Sequence, residues 1–199
     1  MSAIENHIPA NAATTAAVDT LVEQARQAFK EDSVLAFEYI DKAIALAVQL
    51  KYRQGEGTAL AFRGFMLRFA GNFDEALDFY LRALACFEME QNLPTQASTH
   101  NNLGVCYTCI SNYTAALDHY HRALQLHESL GNSTGVAQVT NNIGTVYDNI
   151  GDNDKALESY LAALELNRKN GNRDLIARNN TNIGVVYRNL KRFEEAIAY

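Results

Sequence analysis

The chain has little of what secreted domains, membrane proteins and most enzymes are built from. Three cysteines in 199 residues, without a paired framework, exclude a disulfide-stapled scaffold and fit a reducing compartment, so cytoplasm is the expected location. No apolar run reaches the roughly 18 residues that a spanning helix needs, and no membrane association is expected. The opening stretch MSAIENHIPANAATTAA lacks the positive n-region and long apolar core of a secretory signal. A basic excess is also missing. Lys and Arg number 17 against 23 Asp and Glu, for a net charge of −6. Residues 1–160 hold 10 basic and 19 acidic side chains (10 − 19 = −9), and residues 161–199 hold 7 and 4 (7 − 4 = +3). An acidic body argues against general nucleic-acid binding. There is no Gly-rich phosphate loop after a strand, no supported Ser/His/Asp set and no HExxH. Neither enzymatic activity nor a cofactor is expected.

What the chain does have is a repeat. The stretch HNNLGVCYTCISNYTAALDHYHRALQL (His100 to Leu126) returns as TNNIGTVYDNIGDNDKALESYLAALEL (Thr140 to Leu166) and begins again at Asn180 as NTNIGVVYRNLKRFEEAIAY. Gly64, Gly104, Gly144 and Gly184 keep one step of forty residues, as do Tyr107, Tyr147 and Tyr187. Ala36, Ala76, Ala116, Ala156 and Ala196 form a third column, and Tyr80, Tyr120 and Tyr160 a fourth that Ile40 begins. A fixed period of this kind names an array of stacked units.

Within a unit the apolar residues fall in two blocks with helical spacing, such as Tyr113, Ala116, Leu117, Tyr120, Ala123 and Leu124. Short breaks separate the blocks: Gly71-Asn72, Ser111-Asn112 and Gly151-Asp152 within units, Gly131-Asn132 and Gly171-Asn172 between them. Glycine suits a helix C-terminus because it takes the left-handed conformation without a Cβ penalty. Each unit is therefore expected to be helix, tight turn, helix. Gly in the first helix and Ala in the second remove side chain where the backbones approach, and the Tyr and Leu columns fill the space around that contact.

The columns Asn102-Leu103-Gly104, Tyr107, Tyr113, Ala116, Tyr120 and Ala123-Leu124 resemble the tetratricopeptide repeat, over about residues 17–199. The common unit is about 34 residues long. This one is longer, with a Gly-Asn turn in place of the usual proline. It is similar to the repeats of kinesin light chains, Pins-like polarity adaptors and bacterial Rap-type regulators, and to arrays placed before bacterial signalling domains. The resemblance implies an all-α fold, a right-handed superhelical solenoid whose first helices line a concave groove. Five units are expected, over 17–52, 55–91, 95–131, 135–171 and 175–199, after a loosely packed or disordered leader over residues 1–16. The first helix is expected from Val18 to Phe29. The fifth unit stops at Tyr199, one residue before its expected aromatic, which reads as a chain cut within a repeat.

The resemblance implies a protein-interaction module that binds a peptide or an extended segment of a protein partner in the groove. Asn102, Asn142 and Asn182 share one column, with Asn101 and Asn141 preceding two of them. In the family this column faces the groove, and its amides hold peptide main chain. An amide can bracket a peptide unit whatever its side chain. Asn is a mediocre helix former, so its recurrence within a helix calls for a reason. Bridging between neighbouring helices is the other reason, and both roles are compatible.

Phe62, Phe65 and Phe69 are expected to make an apolar floor at one end of the groove. Thr108, Asp148, Asn149, Arg178, Arg188 and Asn189 are expected to make a polar, increasingly basic floor at the other. Arg178 and Arg188 would pair with a ligand carboxylate. The alternatives are Phe side chains packed on preceding helices and solvated arginines. Cys106 and Cys109 form a CxxC followed by His119 and His121, but Cys106 sits in a packing column and the two histidines point in different senses. No metal site is expected, and both cysteines are expected to be apolar packing residues. Two other functions fit the pattern: a regulatory region ahead of a bacterial cyclase, kinase or transcriptional output, and a self-associating scaffold. The second would use terminal repeats, with apolar surface from Phe193, Ala196 and Ile197.

Overall fold

In the computed structural model of the protein, residues 10–199 are described, with side chains from Thr14 onward. Among these residues the secondary structure is entirely helical. The chain forms two compact units, residues 1–92 and 93–199. The first holds α1 (Ala10–Ala28), α2 (Ser33–Gln49), α3 (Arg53–Phe69) and α4 (Phe73–Met89). The second holds α5 (Leu93–Cys109), α6 (Tyr113–Ser129), α7 (Ser133–Asn149), α8 (Asn153–Asn170), α9 (Arg173–Asn189) and α10 (Phe193–Ala198). The first helix begins at Ala10, so residues 10–16 are helical where a leader was expected; residues 1–9 of that leader lie outside the described residues.

The forty-residue period is two near-identical half-steps. Left-handed residues fall at Lys51, Gly71, Gln91, Ser111, Gly131, Gly151, Gly171 and Lys191, one every twenty residues. Each turn closes the same way. After α5, the Ser111 N–H donates to the Thr108 carbonyl at 3.0 Å and the Asn112 N–H to the Tyr107 carbonyl at 2.9 Å, a Schellman closure. Asn112 then caps α6, its side-chain oxygen accepting from the Ala115 N–H at 3.3 Å. Asn132, Asp152 and Asn172 cap α7, α8 and α9 in the same way. A single polar residue thus ends one helix and starts the next, which holds the turn to two or three residues. Four of these turns have no glycine, so the closure overrides the local preference there.

The expected small-to-large columns are the packing contact itself. A Cβ on Gly104 would lie 2.5 Å from Tyr120, one on Gly144 2.8 Å from Tyr160, and one on Gly64 3.1 Å from Tyr80. The tyrosine ring occupies the side-chain space that glycine leaves. Around these contacts Ala116, Ala123, Ala156 and Ala163 are fully buried, which lets paired helices sit close. Residues of the following helix close each core: Val139, Ile143 and Val146 over Tyr120, then Ile183, Val186 and Tyr187 over Tyr160. Fully burying Ile183 or Leu103 contributes roughly 1.5–3 kcal/mol each.

Candidate partner-binding surface

In the second unit the asparagine column runs along the first helices of successive repeats, and its amides join them. The Asn142 Nδ2 donates to the Asn101 Oδ1 at 2.9 Å, linking α7 to α5. Forty residues on, the Asn182 Nδ2 donates to the Asn141 Oδ1 at 3.1 Å, linking α9 to α7. The Asn141 oxygen also accepts from the Asn179 Nδ2 at 2.9 Å, and the Asn179 oxygen from the Asn167 Nδ2 at 2.7 Å. Asn101 and Asn141 are buried, whereas Asn102, Asn142 and Asn182 are half-buried. The column therefore bridges helices. Its half-buried members still keep an amide oxygen and a second N–H outside the bridge, so bridging fixes these amides without using them up. Among the described residues, Asn102 makes no side-chain hydrogen bond.

Sequence reading passed over the partners of this ladder. Asn167 and Asn179 are buried with a donor and an acceptor matched, and the Asn167 oxygen is left without a partner. His127 stands in the Asn167 column and is also buried; burial pushes its pKa below the usual histidine value. Only a polar pair in one interhelical column, His127 and Asn167, pointed to them. With Asn102, Asn132 and Gln138, His127 lines a pocket of about 250 Å³.

In the first unit the phenylalanines form a stack based on Phe29. Its ring meets Phe62, Phe65 and Phe69 edge-on at 6.1, 5.6 and 5.6 Å, while Phe62 and Phe65 stack at 5.7 Å. Phe62 is buried, Phe65 half-buried, and Phe69 73 % exposed, so only Phe69 offers most of its ring to a partner. Arg26 lies 4.9 Å over Phe62 and Arg68 5.4 Å over Phe65. Nearby, Arg63 is sandwiched between Phe37 and Phe79, at 4.5 and 5.4 Å, and pairs with Asp41 at 2.7 Å.

The remaining expected site residues divide by exposure. Asn149, Arg178, Arg188 and Asn189 are exposed, and Thr108 and Asp148 are half-buried. The Thr108 hydroxyl donates to the Gly104 carbonyl at 2.8 Å within its own helix. Burial raises the Asp148 pKa. Cys106 is buried, but Cys109 is exposed at the end of α5 and is no packing residue. Of the two histidines, His121 is exposed and His119 is half-buried, its Nδ1 2.9 Å from the Nδ1 of buried His100, with Tyr107 stacked on the His119 ring at 5.3 Å. Burial, then the charges of His119 and Arg122, lower the His100 pKa to about 4. Among the described residues no group of three or more His, Cys, Asp or Glu side chains is placed to hold a metal, and no helix is long and apolar enough to cross a membrane.

The tetratricopeptide repeat family model matches residues 95–169 and 136–199, which is just over half of the chain. The chain belongs to the tetratricopeptide repeat family. No curated protein sequence matches it. Solved structures share its fold at low identity. Apo RapI superposes with a TM-score of 0.82 at 15% identity, over 92% of this chain and 67% of that one. A kinesin light chain homologue of Podospora anserina with nearly identical TPR-like repeats gives 0.74 at 12%, over 93% and 92%. A Rap protein complexed with Competence and Sporulation Factor gives 0.79 at 13% identity; the match covers 91% of this chain and about half, 51%, of that protein. As a tetratricopeptide repeat chain, this molecule carries its polar ladder on the first helix of each helix pair in its second unit.

Proposed function

We propose that the chain is a protein-interaction module that binds an extended peptide segment of a partner along the first helices of its repeats. The observation that carries this reading is the half-buried amide column Asn102, Asn142 and Asn182, whose last two members are held in place by Asn101 and Asn141. An amide fixed by one hydrogen bond and still offering an acceptor and a donor is preorganised for peptide main chain, which lowers the ordering cost of binding. In the first unit, Phe62, Phe65 and Phe69 would offer an apolar contact of their own, with exposed Phe69 contributing most. Asn149, Arg178, Arg188 and Asn189 would meet polar or acidic ones. The Rap protein complexed with Competence and Sporulation Factor supports the reading, since a helical array of similar fold was solved there with a factor bound.

The test is selection from a displayed peptide library. Peptides captured by the wild type should lose binding to the combined Asn102→Ala, Asn142→Ala, Asn182→Ala variant, provided circular dichroism shows unchanged helicity. Retention of wild-type affinity by a fully helical triple variant would overturn the reading.

A second reading, self-association, is favoured by the face of α9 and α10. Phe193 is 59% and Ile197 85% exposed beside a pocket of about 500 Å³ that Gly184 and Val185 also line. Sedimentation equilibrium that returns only monomer at high concentration rules it out.

A further inference from the structure

The pocket between α5 and α7 is polar and uncharged, and its lining includes one histidine whose tautomer is set by its neighbours. The Gly135 N–H donates to the Asn132 Oδ1 at 2.9 Å, so the Asn132 oxygen faces the α7 backbone. The Asn132 Nδ2 must then face His127, whose Nδ1 lies 3.2 Å away. An amide nitrogen only donates, so Nδ1 accepts, and neutral His127 carries its proton on Nε2. Among the described residues Nε2 has no hydrogen-bond partner. Protonating the ring would set a second N–H against the Asn132 donor, and burial already opposes the charge. The ring packs directly on Gly135, where an added Cβ would lie 2.4 Å from Nδ1.

His127 is only 7% exposed, yet it lines the cavity together with Ser98, Asn102 and Gln138. The half-buried Asn102 amide is unengaged by any other side chain, unlike its counterparts Asn142 and Asn182. The lining thus holds one N–H donor, on His127 Nε2, together with the Asn102 and Gln138 amides, whose oxygens can accept.

We propose that this pocket is a specificity site for a primary carboxamide, the side chain of a glutamine or asparagine in the bound peptide. The His127 Nε2–H donates to the ligand carbonyl, and the ligand NH₂ donates to the Asn102 or Gln138 oxygen. A carboxylate has no N–H to donate and would bring its charge into the pocket without a compensating cation. An ammonium or guanidinium would face the fixed N–H. Both carry an uncompensated desolvation cost that the amide avoids. Walls from three elements and a volume of about 250 Å³ admit the end of one side chain.

This assignment rests on the peptide-binding reading for its partner, but it is testable without one. The whole chain labelled with ¹⁵N-histidine is titrated with N-acetylglutamine amide, N-acetylglutamate amide, N-acetyllysine amide and acetamide, following the imidazole nitrogens by NMR. His127→Phe assigns the signal, with circular dichroism checking that its helicity matches the wild type.

The expected result is an Nε2-protonated His127 whose signal shifts saturably with the glutamine amide. The affinity should be millimolar, as suits a ligand of about a dozen heavy atoms. Binding should be at least about fivefold weaker to the glutamate and lysine amides and to Asn102→Ala. An Nδ1-protonated ring, no shift, or equal shifts with all three amino-acid amides would overturn the assignment. Acetamide binding as tightly as the glutamine amide would also overturn it, assigning the pocket to free small amides. If library-selected peptides bind His127→Phe as well as wild type, the carboxamide assignment fails while the peptide-binding reading stands.

Discussion

The Tyr120 ring fills the space where a side chain on Gly104 would be: a Cβ there would come within 2.5 Å of the ring. The pair joins α5 to α6, and its equivalent at Gly144 and Tyr160 joins α7 to α8. At Gly184 the nearest atom to such a Cβ is the Ala196 carbonyl oxygen, at 3.5 Å.

Glycine substitutions should therefore differ in sign along one column. Gly104→Ala overpacks the Tyr120 contact and is expected to cost roughly 1–3 kcal/mol. Gly184→Ala meets only ordinary contact, and replacing a mid-helix glycine is expected to gain up to about 1 kcal/mol. Urea unfolding of both variants checks the pair; equal losses would mean that the column is not defined by the tyrosine.

The turns without glycine are sites of recoverable strain. Ser111 holds φ at 60° to complete the closure between α5 and α6. A left-handed residue other than glycine costs about 1–2 kcal/mol, partly offset by the greater freedom of glycine in the unfolded chain. Ser111→Gly should stabilise by about 0.5–1 kcal/mol, and Gly151→Ala, at φ 81°, should destabilise by about 1 kcal/mol. Thermal unfolding temperatures moving in opposite directions would confirm this.

Asn141 accepts two amide donors, and Asn101 accepts one. Removing the Asn141 acceptor leaves the buried Asn179 donor unmatched, at a cost of about 1–3 kcal/mol. Asn141→Ala should therefore destabilise more than Asn101→Ala. A denaturation series in which the two are equal would show that the α7–α9 link carries no extra weight.

The His100–His119 couple should make the fold acid-sensitive. The folded pKa of His100, about 4, lies below its ordinary value of 6.5, so the unfolded chain binds more protons between them. The stability contribution is fully present above pH 6.5 and is lost as pH falls towards 4, on the order of 3 kcal/mol in total. His119, whose pKa burial also lowers, acts in the same direction. His100→Gln should flatten the stability profile between pH 7.5 and 4.5. An unchanged slope in guanidinium titrations would assign the acid sensitivity to other groups.

Much of this architecture is written locally. A helix needs only its own spacing of apolar residues, and the helix-pair repeat follows from small residues opposite aromatic ones at a fixed interval. Gly104 and Tyr120 are both visible in one unit of sequence. The turns were half legible: Gly-Asn signals the left-handed closure, but Lys51, Gln91 and Lys191 adopt it too because the helix pairs on either side require it. The first helix ran eight residues past its expected start, since Ala-rich sequence is compatible with helix without an amphipathic signature.

The sequence by itself determined the helix pairs, their period and the columns that pack, because those depend on neighbours within one repeat. Only the tertiary structure decided which polar groups are satisfied. Asn142 finds its partner on α5 and Asn182 on α7. Phe69 stays exposed where Phe62 is buried on Phe29. The tautomer of His127 depends on a backbone N–H eight residues away. Hydrogen bonds and burial of this kind are set to within an ångström by how whole helices register against one another, and a one-dimensional period carries no such distances.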